Sequence, residues 1–229
     1  MKYQQAKDKI TVKPVAVTQP VLSDIPNAEA LIAYCARVSN PNNQGSHETA
    51  DKLLSYCAKH GHWSVFEQAD LTVEIEAPRD ITRQLIRHRS GQPQEFSQRY
   101  ADVTSDMFCL RELRLQDDKN RQNSVSISED HEWNLEWQKD QEELLDTVRS
   151  LQAKWRDRGA AKEVVRVMFP EGNTMSRLYF KAPIRTWMHY CKVRGEKGVT
   201  QEEHTWIAEL AKDVMKDYFP SLTTYMKQN

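Results

Sequence analysis

Apolar residues recur along this 229-residue chain with two periods. Leu71, Val73 and Ile75 alternate with Thr72, Glu74 and Glu76, the period-two pattern of a strand with one buried face. Residues 10–22 are β-branched and partly alternating, which predicts an earlier strand broken by Pro14 and Pro20. Helical spacing predicts a helix over Ala28–Ser39, preceded by Asp24, with Ala30, Leu31, Tyr34, Cys35 and Val38 on one face. A loop at 40–46 separates it from a helix over Glu48–His60, with Leu53, Leu54 and Cys57 inward and Gly61 ending it. Pro78 opens a further helix with Asp80 in its first turn, where negative charge suits the helix dipole. Ile81 and Leu85 form its apolar side, and Arg79, Arg83 and Arg87 recur four residues apart as a basic stripe.

Ser90-Gly91-Gln92-Pro93 breaks that pattern. Residues 94–110 read as extended or looped and lead to a strand through Met107–Leu113. The polar run 116–131 reads as a mobile surface excursion. A long amphipathic helix is predicted over 132–158, with Leu135, Leu144, Leu145, Val148, Leu151 and Trp155 as its apolar face. A shorter helix at 160–169 stops before Pro170, and another runs from Pro183 to Gly195. The last continues through Tyr218, with Thr200 and Glu203 as a capping box. No internal repeat or interdomain linker is visible, so one domain is expected over 1–229.

Composition narrows the classes. Hydrophobic residues make up 39% and charged residues 28%, which allows a core but is lean for a monomer, so an oligomer is expected. A net charge of −1 argues against general binding of nucleic acid or membrane surfaces. No apolar run approaches the roughly 18 residues of a membrane span. The start MKYQQAKDKI lacks the apolar centre of a signal peptide, so a cytoplasmic location is expected. Cys35, Cys57, Cys109 and Cys191 show no CxxC pairing and read as buried, reduced thiols. His60, His62 and Glu67 do not match a helical HExxH pair, and no metal site is expected.

Against this neutral background the stretch 79–100 gathers Arg79, Arg83, Arg87, Arg89 and Arg99 with His88 and a single acid in its second half, Glu95. Such a cluster repels itself unless anions neutralise it. Acids at helical spacing are nearly absent, with only Asp80 placed to help. Guanidinium forks are the usual means of holding phosphate or carboxylate, which points to a small phosphorylated ligand. Glu95 reads equally as an internal counter-ion or as a group orienting a ligand. Ser97 has no visible base to make it a nucleophile. Arg166, Arg185 and Arg194 stand on otherwise apolar segments, either snorkelling or reaching into a site. With seven glycines and no Gly-rich nucleotide loop, any dinucleotide must be held by side chains.

The run Arg87-His88-Arg89, seven residues, then Ser97 resembles the signature of the flavin-dependent thymidylate synthases (the ThyX family). Arg83-Gln84 precede it, Glu95 stands two before the serine, and Arg99-Tyr100 follow. Ala36-Arg37-Val38-Ser39, His62–Glu67, Arg166–Pro170 and the segment from Ile184 to Arg194 resemble further family motifs, so the likeness covers most of the chain. It implies an α/β (α+β) fold, a twisted antiparallel sheet flanked by long helices, in a homotetramer whose sites are shared between subunits. It implies synthesis of dTMP from dUMP with FAD as cofactor, and with 5,10-methylenetetrahydrofolate and NADPH as co-substrates.

By position, Gln84 and Arg87 would contact dUMP, and Arg87, His88 and Arg89 the flavin, with Glu95 between the two. Ser97, Gln98 and Arg99 would cradle the dUMP phosphate. Arg166 would reach dUMP from another subunit. Arg194 would favour the ionised N3 of uracil, activating C5. Ser39, Ser64, Arg185 and His189 fall where the family binds FAD. This chain has Gln98 where members often have Gly, Gln94 where they have Asn, and Pro183 and His189 where many place Asn. A relative that hydroxymethylates dUMP, and a module binding RNA or a phosphorylated metabolite, are the alternative readings.

Overall fold

The computed structural model describes residues 2–128 and 130–226. The two-residue strand β1 (Gln4–Gln5) and one-turn α1 (Ala6–Lys9) lead into β2 (Thr11–Val17). Helices α2 (Ala28–Ala36) and α3 (Ala50–Lys59) precede β3 (Asp70–Pro78), α4 (Arg79–Leu85) and β4 (Gln92–Glu95). After β5 (Cys109–Leu110) come a hairpin of β6 (Arg114–Gln116) and β7 (Ser124–Ser126), the long α5 (Trp133–Asp157) and short α6 (Lys162–Val165). The chain closes with β8 (Met175–Pro183), α7 (Ile184–Arg194), α8 (Glu202–Tyr218) and α9 (Thr223–Met226).

The main sheet is antiparallel, in the order β2-β3-β8-β4. Alternation decides its two faces. Leu71, Val73, Ile75 and Ala77 of β3 and Leu178, Phe180 and Ala182 of β8 point inward and are buried. They share one core with Ile32, Leu54, Ile81, Leu85, Trp187, Ile207 and Met215 of the helices. The outer face is a ladder of polar pairs. Arg177 reaches Glu76 at 2.7 Å, Tyr179 donates to Glu74 at 2.7 Å, and Lys181 meets Asp70 at 3.2 Å. Pro14 lies in the edge strand β2 beside a register shift, where a missing N–H is tolerated. A second cluster, including Tyr3, Phe108 and Leu110, packs on Leu145 and Val148 of α5.

Two strand–helix units in the centre are related by a local pseudo-dyad. β3 and β8 are nine residues each and pair end to end, from Asp70↔Pro183 to Pro78↔Met175. Each ends in Ala-Pro and runs directly into a helix. The first helical N–H is taken by the other unit: Arg79 donates to Thr174 O at 2.8 Å, and Ile184 donates to Ala69 O at 3.0 Å. The sequences share little beyond Ala-Pro, so the repeat lies in the backbone. Because the strands are antiparallel, α4 and α7 leave opposite ends of the sheet and fold back over the same inner face. That brings their C-terminal ends together.

Several sequence expectations need correction. β8 was not anticipated, because Met175 and Ser176 are both buried and blur its alternation. β4 pairs on the sheet edge where a break at 90–93 and an extended or looped run from 94 were expected, and the strand expected over Met107–Leu113 shrinks to β5. The 116–131 run takes part in an ordered hairpin, whose Asn120 donates to Gly198 O at 3.1 Å; Glu129 lies outside the described residues. The apolar face of α5 is only partly used: Leu145 and Val148 are buried, while Leu135, Leu144 and Trp155 are exposed. Gln141 is buried in their place and bonds both the N–H and C=O of Arg111. The capping box is absent, since Thr200 donates to Val193 O and Glu203 is held by Arg111 and Arg114.

Candidate functional site

α4 ends at Leu85, so the stripe splits: Arg79 and Arg83 lie on the helix, and Arg87 and Arg89 lie beyond it. Glu95, delivered by edge strand β4, is the acid that the helix lacks. Its Oε2 lies 2.9 Å from Arg83, and its Oε1 accepts from Thr82 and from Ser176 of β8, each at 2.9 Å. Arg79 stands 3.7 Å away, and burial lowers its pKa despite that partner. Within this chain Glu95 thus acts as a half-buried counter-ion, one of its two readings. Asp80 turns instead to Arg111 at 3.0 Å, which also holds Glu203 at 3.0 Å. Burial would raise the Glu203 carboxyl, but Arg111 and Arg114 outweigh it and leave it lowered.

Arg87, Arg89, Arg166 and Arg194 are different. Among the described residues none of them meets a carboxylate within ion-pair distance. Three of the four surround one histidine in the chain or in space. Arg194, at the end of α7, donates from Nε to His88 Nε2 at 3.1 Å, and His88 packs edge-on against Tyr190 at 5.2 Å. Burial, then Arg194, His189 and Arg87, push the His88 pKa down to about 4. A neutral imidazole must accept from Arg194, which fixes its other nitrogen as the donor. The result is a concentration of positive charge held open by a neutral ring. Arg166 sits in a short 3-10 turn after α6, half-buried and close enough to Arg79 to depress that residue's pKa.

A cavity of about 810 Å3 opens beside this cluster. Its walls include Trp63, Ser90, Pro183, Arg185, His189 and Tyr225. That volume lies within the usual range of cofactor and ligand pockets. Arg185 at its rim is paired with Glu67. Ser64 is exposed next to Trp63, while Ser39 lies exposed beyond α2 and does not line this cavity. The cavity's aromatic walls and nearby unpaired cations suit a flavin with a pyrophosphate.

Ser97 and Arg99 line a separate surface cleft of about 390 Å3 with Tyr100, Lys162 and Glu163, and Arg99 contacts Glu163 at 3.2 Å. This cleft shares no lining residue with the larger cavity. Gln98 is buried, with its Nε2 unpartnered. Within one chain, then, the fold gathers Arg87, His88, Arg89, Arg185, His189 and Arg194, and leaves Ser97 and Arg99 elsewhere. His60 and His62 have ring centroids 6.4 Å apart, while Glu67 points to Arg185.

Sequence reasoning missed the residues behind Gln84. Gln84 Nε2 donates to Gln201 Oε1 at 2.7 Å, and its Oε1 lies 3.3 Å from His204 Nδ1. Gln201, Glu203 and His204 form a polar run that reads as a solvated helix start, yet Glu203 and His204 are buried. Only the tertiary meeting of Gln84 with Gln201 and His204 exposes their role.

The family model described as "Thymidylate synthase complementing protein" matches residues 20–221. A "Probable flavin-dependent thymidylate synthase" of Paramecium bursaria Chlorella virus 1 is 42% identical over 93% of this chain and 97% of that protein. The "Flavin-dependent thymidylate synthase" of Synechocystis is 40% identical over 94% of this chain and 99% of its own length. In structure, the UMP/dUMP methylase PolB of Streptomyces cacaoi, bound with 5-Br dUMP, superposes with a TM-score of 0.79 at 21% identity, covering 97% of this chain and 95% of that one. With the unpaired arginines, the cavity and these likenesses together, the chain belongs to the flavin-dependent thymidylate synthase family.

Proposed function

We propose that this protein makes dTMP from dUMP, using FAD, 5,10-methylenetetrahydrofolate and NADPH. The observation that carries the reading is the set of arginines without acids around His88, next to a cavity large enough for a flavin. Arg87, His88, Arg89, Arg185 and His189 would hold FAD, with Ser64 near the cavity mouth and Ser39 reaching it from another subunit. When bound, FAD carries hydride from NADPH toward the one-carbon unit on the pyrimidine.

The chain's own residues supply orientation and charge. Arg194, fixed by its bond to His88, places a permanent cation where negative charge grows on the uracil ring as C5 becomes nucleophilic. Gln84, Arg87 and Arg166 contact dUMP, and Ser97, Gln98 and Arg99 hold its phosphate through backbone N–H, hydroxyl and guanidinium. Glu95 acts through the arginines it orders. Three of the four cysteines are buried and poor nucleophiles: burial pushes the Cys57 thiol up, and the Cys109 and Cys191 thiols up to about 12, while Cys35 on α2 is only half-buried, contrary to expectation. The separation of the Ser97–Arg99 cleft from the large cavity favours a homotetramer whose sites combine residues from several subunits.

The test is spectroscopic and chemical. The purified protein should be yellow or bind added FAD, and should convert dUMP to dTMP with the folate and NADPH. A protein that takes up no FAD refutes the proposal. A product with the mass of hydroxymethyl-dUMP assigns the relative instead.

A further inference from the structure

We infer that His204 is a positioning residue for the reaction, fixing the side-chain amide of Gln84 toward dUMP; the inference rests on reading Gln84 as a dUMP ligand. A glutamine is a poor ligand unless something fixes it. Its side chain loses about 1.5–2 kcal/mol of rotamer freedom when ordered. Its oxygen and nitrogen have nearly the same shape, so only hydrogen bonds decide which end points where. Gln84 is gripped at both ends from the start of α8, by the residue that caps it and by one in its first turn. The oxygen meets His204 Nδ1 at 3.3 Å, and the nitrogen donates to Gln201 Oε1 at 2.7 Å. Each end retains one further valence, a lone pair on Oε1 and a hydrogen on Nε2, with a sense that cannot reverse while both bonds hold.

The environment of His204 determines which of its nitrogens donates. The ring is fully buried, and burial, then Arg194 and His88, push its pKa down to about 3. It therefore carries one N–H. Tyr190 lies with its ring 5.6 Å from that of His204, and its buried hydroxyl and His204 Nε2 each bond no group among the described residues. Nδ1 faces Gln84 Oε1 at 3.3 Å, and an amide oxygen can only accept. The proton thus belongs on Nδ1, where it is donated to Gln84.

The two helices are also locked at this level. Glu203, adjacent to His204, binds Arg114 at 2.6 Å and Arg111 at 3.0 Å, and Arg111 in turn holds Asp80 of α4 at 3.0 Å. The His204–Gln84 contact is therefore set by a cross-braced pair of helices and does not depend on one flexible side chain. His204 touches no reacting atom, and its action runs through Gln84.

Four variants in the FAD-bound enzyme test this: Gln84→Ala, His204→Phe, His204→Gln and His204→Asn. An asparagine nitrogen stands close to where Nδ1 stood, a glutamine nitrogen close to Nε2, and phenylalanine preserves volume alone. dUMP affinity is read by flavin fluorescence, with KM and kcat measured beside it, and FAD content and melting temperature as controls. His204→Phe and His204→Gln should weaken dUMP binding about tenfold, chiefly in KM, with FAD content unchanged. His204→Asn should restore most of the loss despite its smaller volume, and His204→Phe should add nothing in the Gln84→Ala background. If Gln84→Ala weakens dUMP but His204→Phe does not, the inference falls and the site stands. If Gln84→Ala binds dUMP normally, the reading of Gln84 falls and takes the inference with it. Nitrogen NMR of histidine-labelled wild-type protein decides the matter should variants misfold: His204 must show a neutral ring protonated at Nδ1, and an Nε2–H tautomer overturns the inference.

Discussion

His88 and His204 hold their charge state through surroundings and not through a carboxylate partner. Unfolded, each protonates near its ordinary value of 6.5; folded, they do so only at about 4 and about 3. Between those limits the unfolded chain binds protons that the native state refuses. Neither residue costs stability above pH 6.5, and each favours unfolding as pH falls below it. The loss is up to about 1.4 kcal/mol per pH unit for each imidazole, until its folded pKa is reached. Urea titrations at about pH 7 and about pH 5 should show this fall, and His204→Asn should flatten it. An equally steep fall in that variant would mean that His204 takes no part. The same two rings explain why single residues were only half legible. The Arg87-His88-Arg89 motif marks a site by its chemistry, but nothing in its spacing says that His88 accepts from an arginine more than 100 positions later.

The strand–helix units show how far elements could be read ahead of the fold. β3 and α4 follow their periodicity, because a half-buried strand and a one-sided helix each print their burial onto the sequence, and α7 follows its Pro183 start and Gly195 stop. β4 and β8 do not, since β4 is a four-residue edge strand with proline in it and β8 buries two successive residues at its start. Gly91 joins α4 to β4 at a place where no side chain fits. A Cβ there would stand 1.9 Å from Cζ of Phe180, whose ring is buried edge-on against Trp187 at 5.5 Å. Gly91→Ala should therefore cost about 1–3 kcal/mol and lower the melting temperature, with loss of β4 pairing at Pro93↔Phe180. An unchanged melting curve would show that the ring moves aside freely.

At the scale of the folded chain, apolar surface remains that one copy does not cover. Trp133, Trp137, Leu144 and Trp155 are spaced along one side of α5 and are at least 39% exposed. Against a hydrophobic content of 39%, such a stripe is expensive in water and fits the proposed homotetramer. Light scattering should give a tetramer for the native chain and smaller species for Leu144→Glu. A native monomer, or an undisturbed Leu144→Glu tetramer, would place the contact elsewhere. The pseudo-dyad belongs to this scale as well: it turns two sequence-distant helices onto one face and so creates the meeting of His88 with Arg194.

The family, the basic cluster and most helices were already fixed by residue order, because local periodicity and short motifs involve neighbours along the chain. The partners of the charges were not. Glu95 on Arg83, Arg111 between Asp80 and Glu203, and His204 behind Gln84 join residues 12 to 120 positions apart. Such pairs arise only when packing removes water and makes an unmatched polar group costly, and that selection operates between elements, not along them.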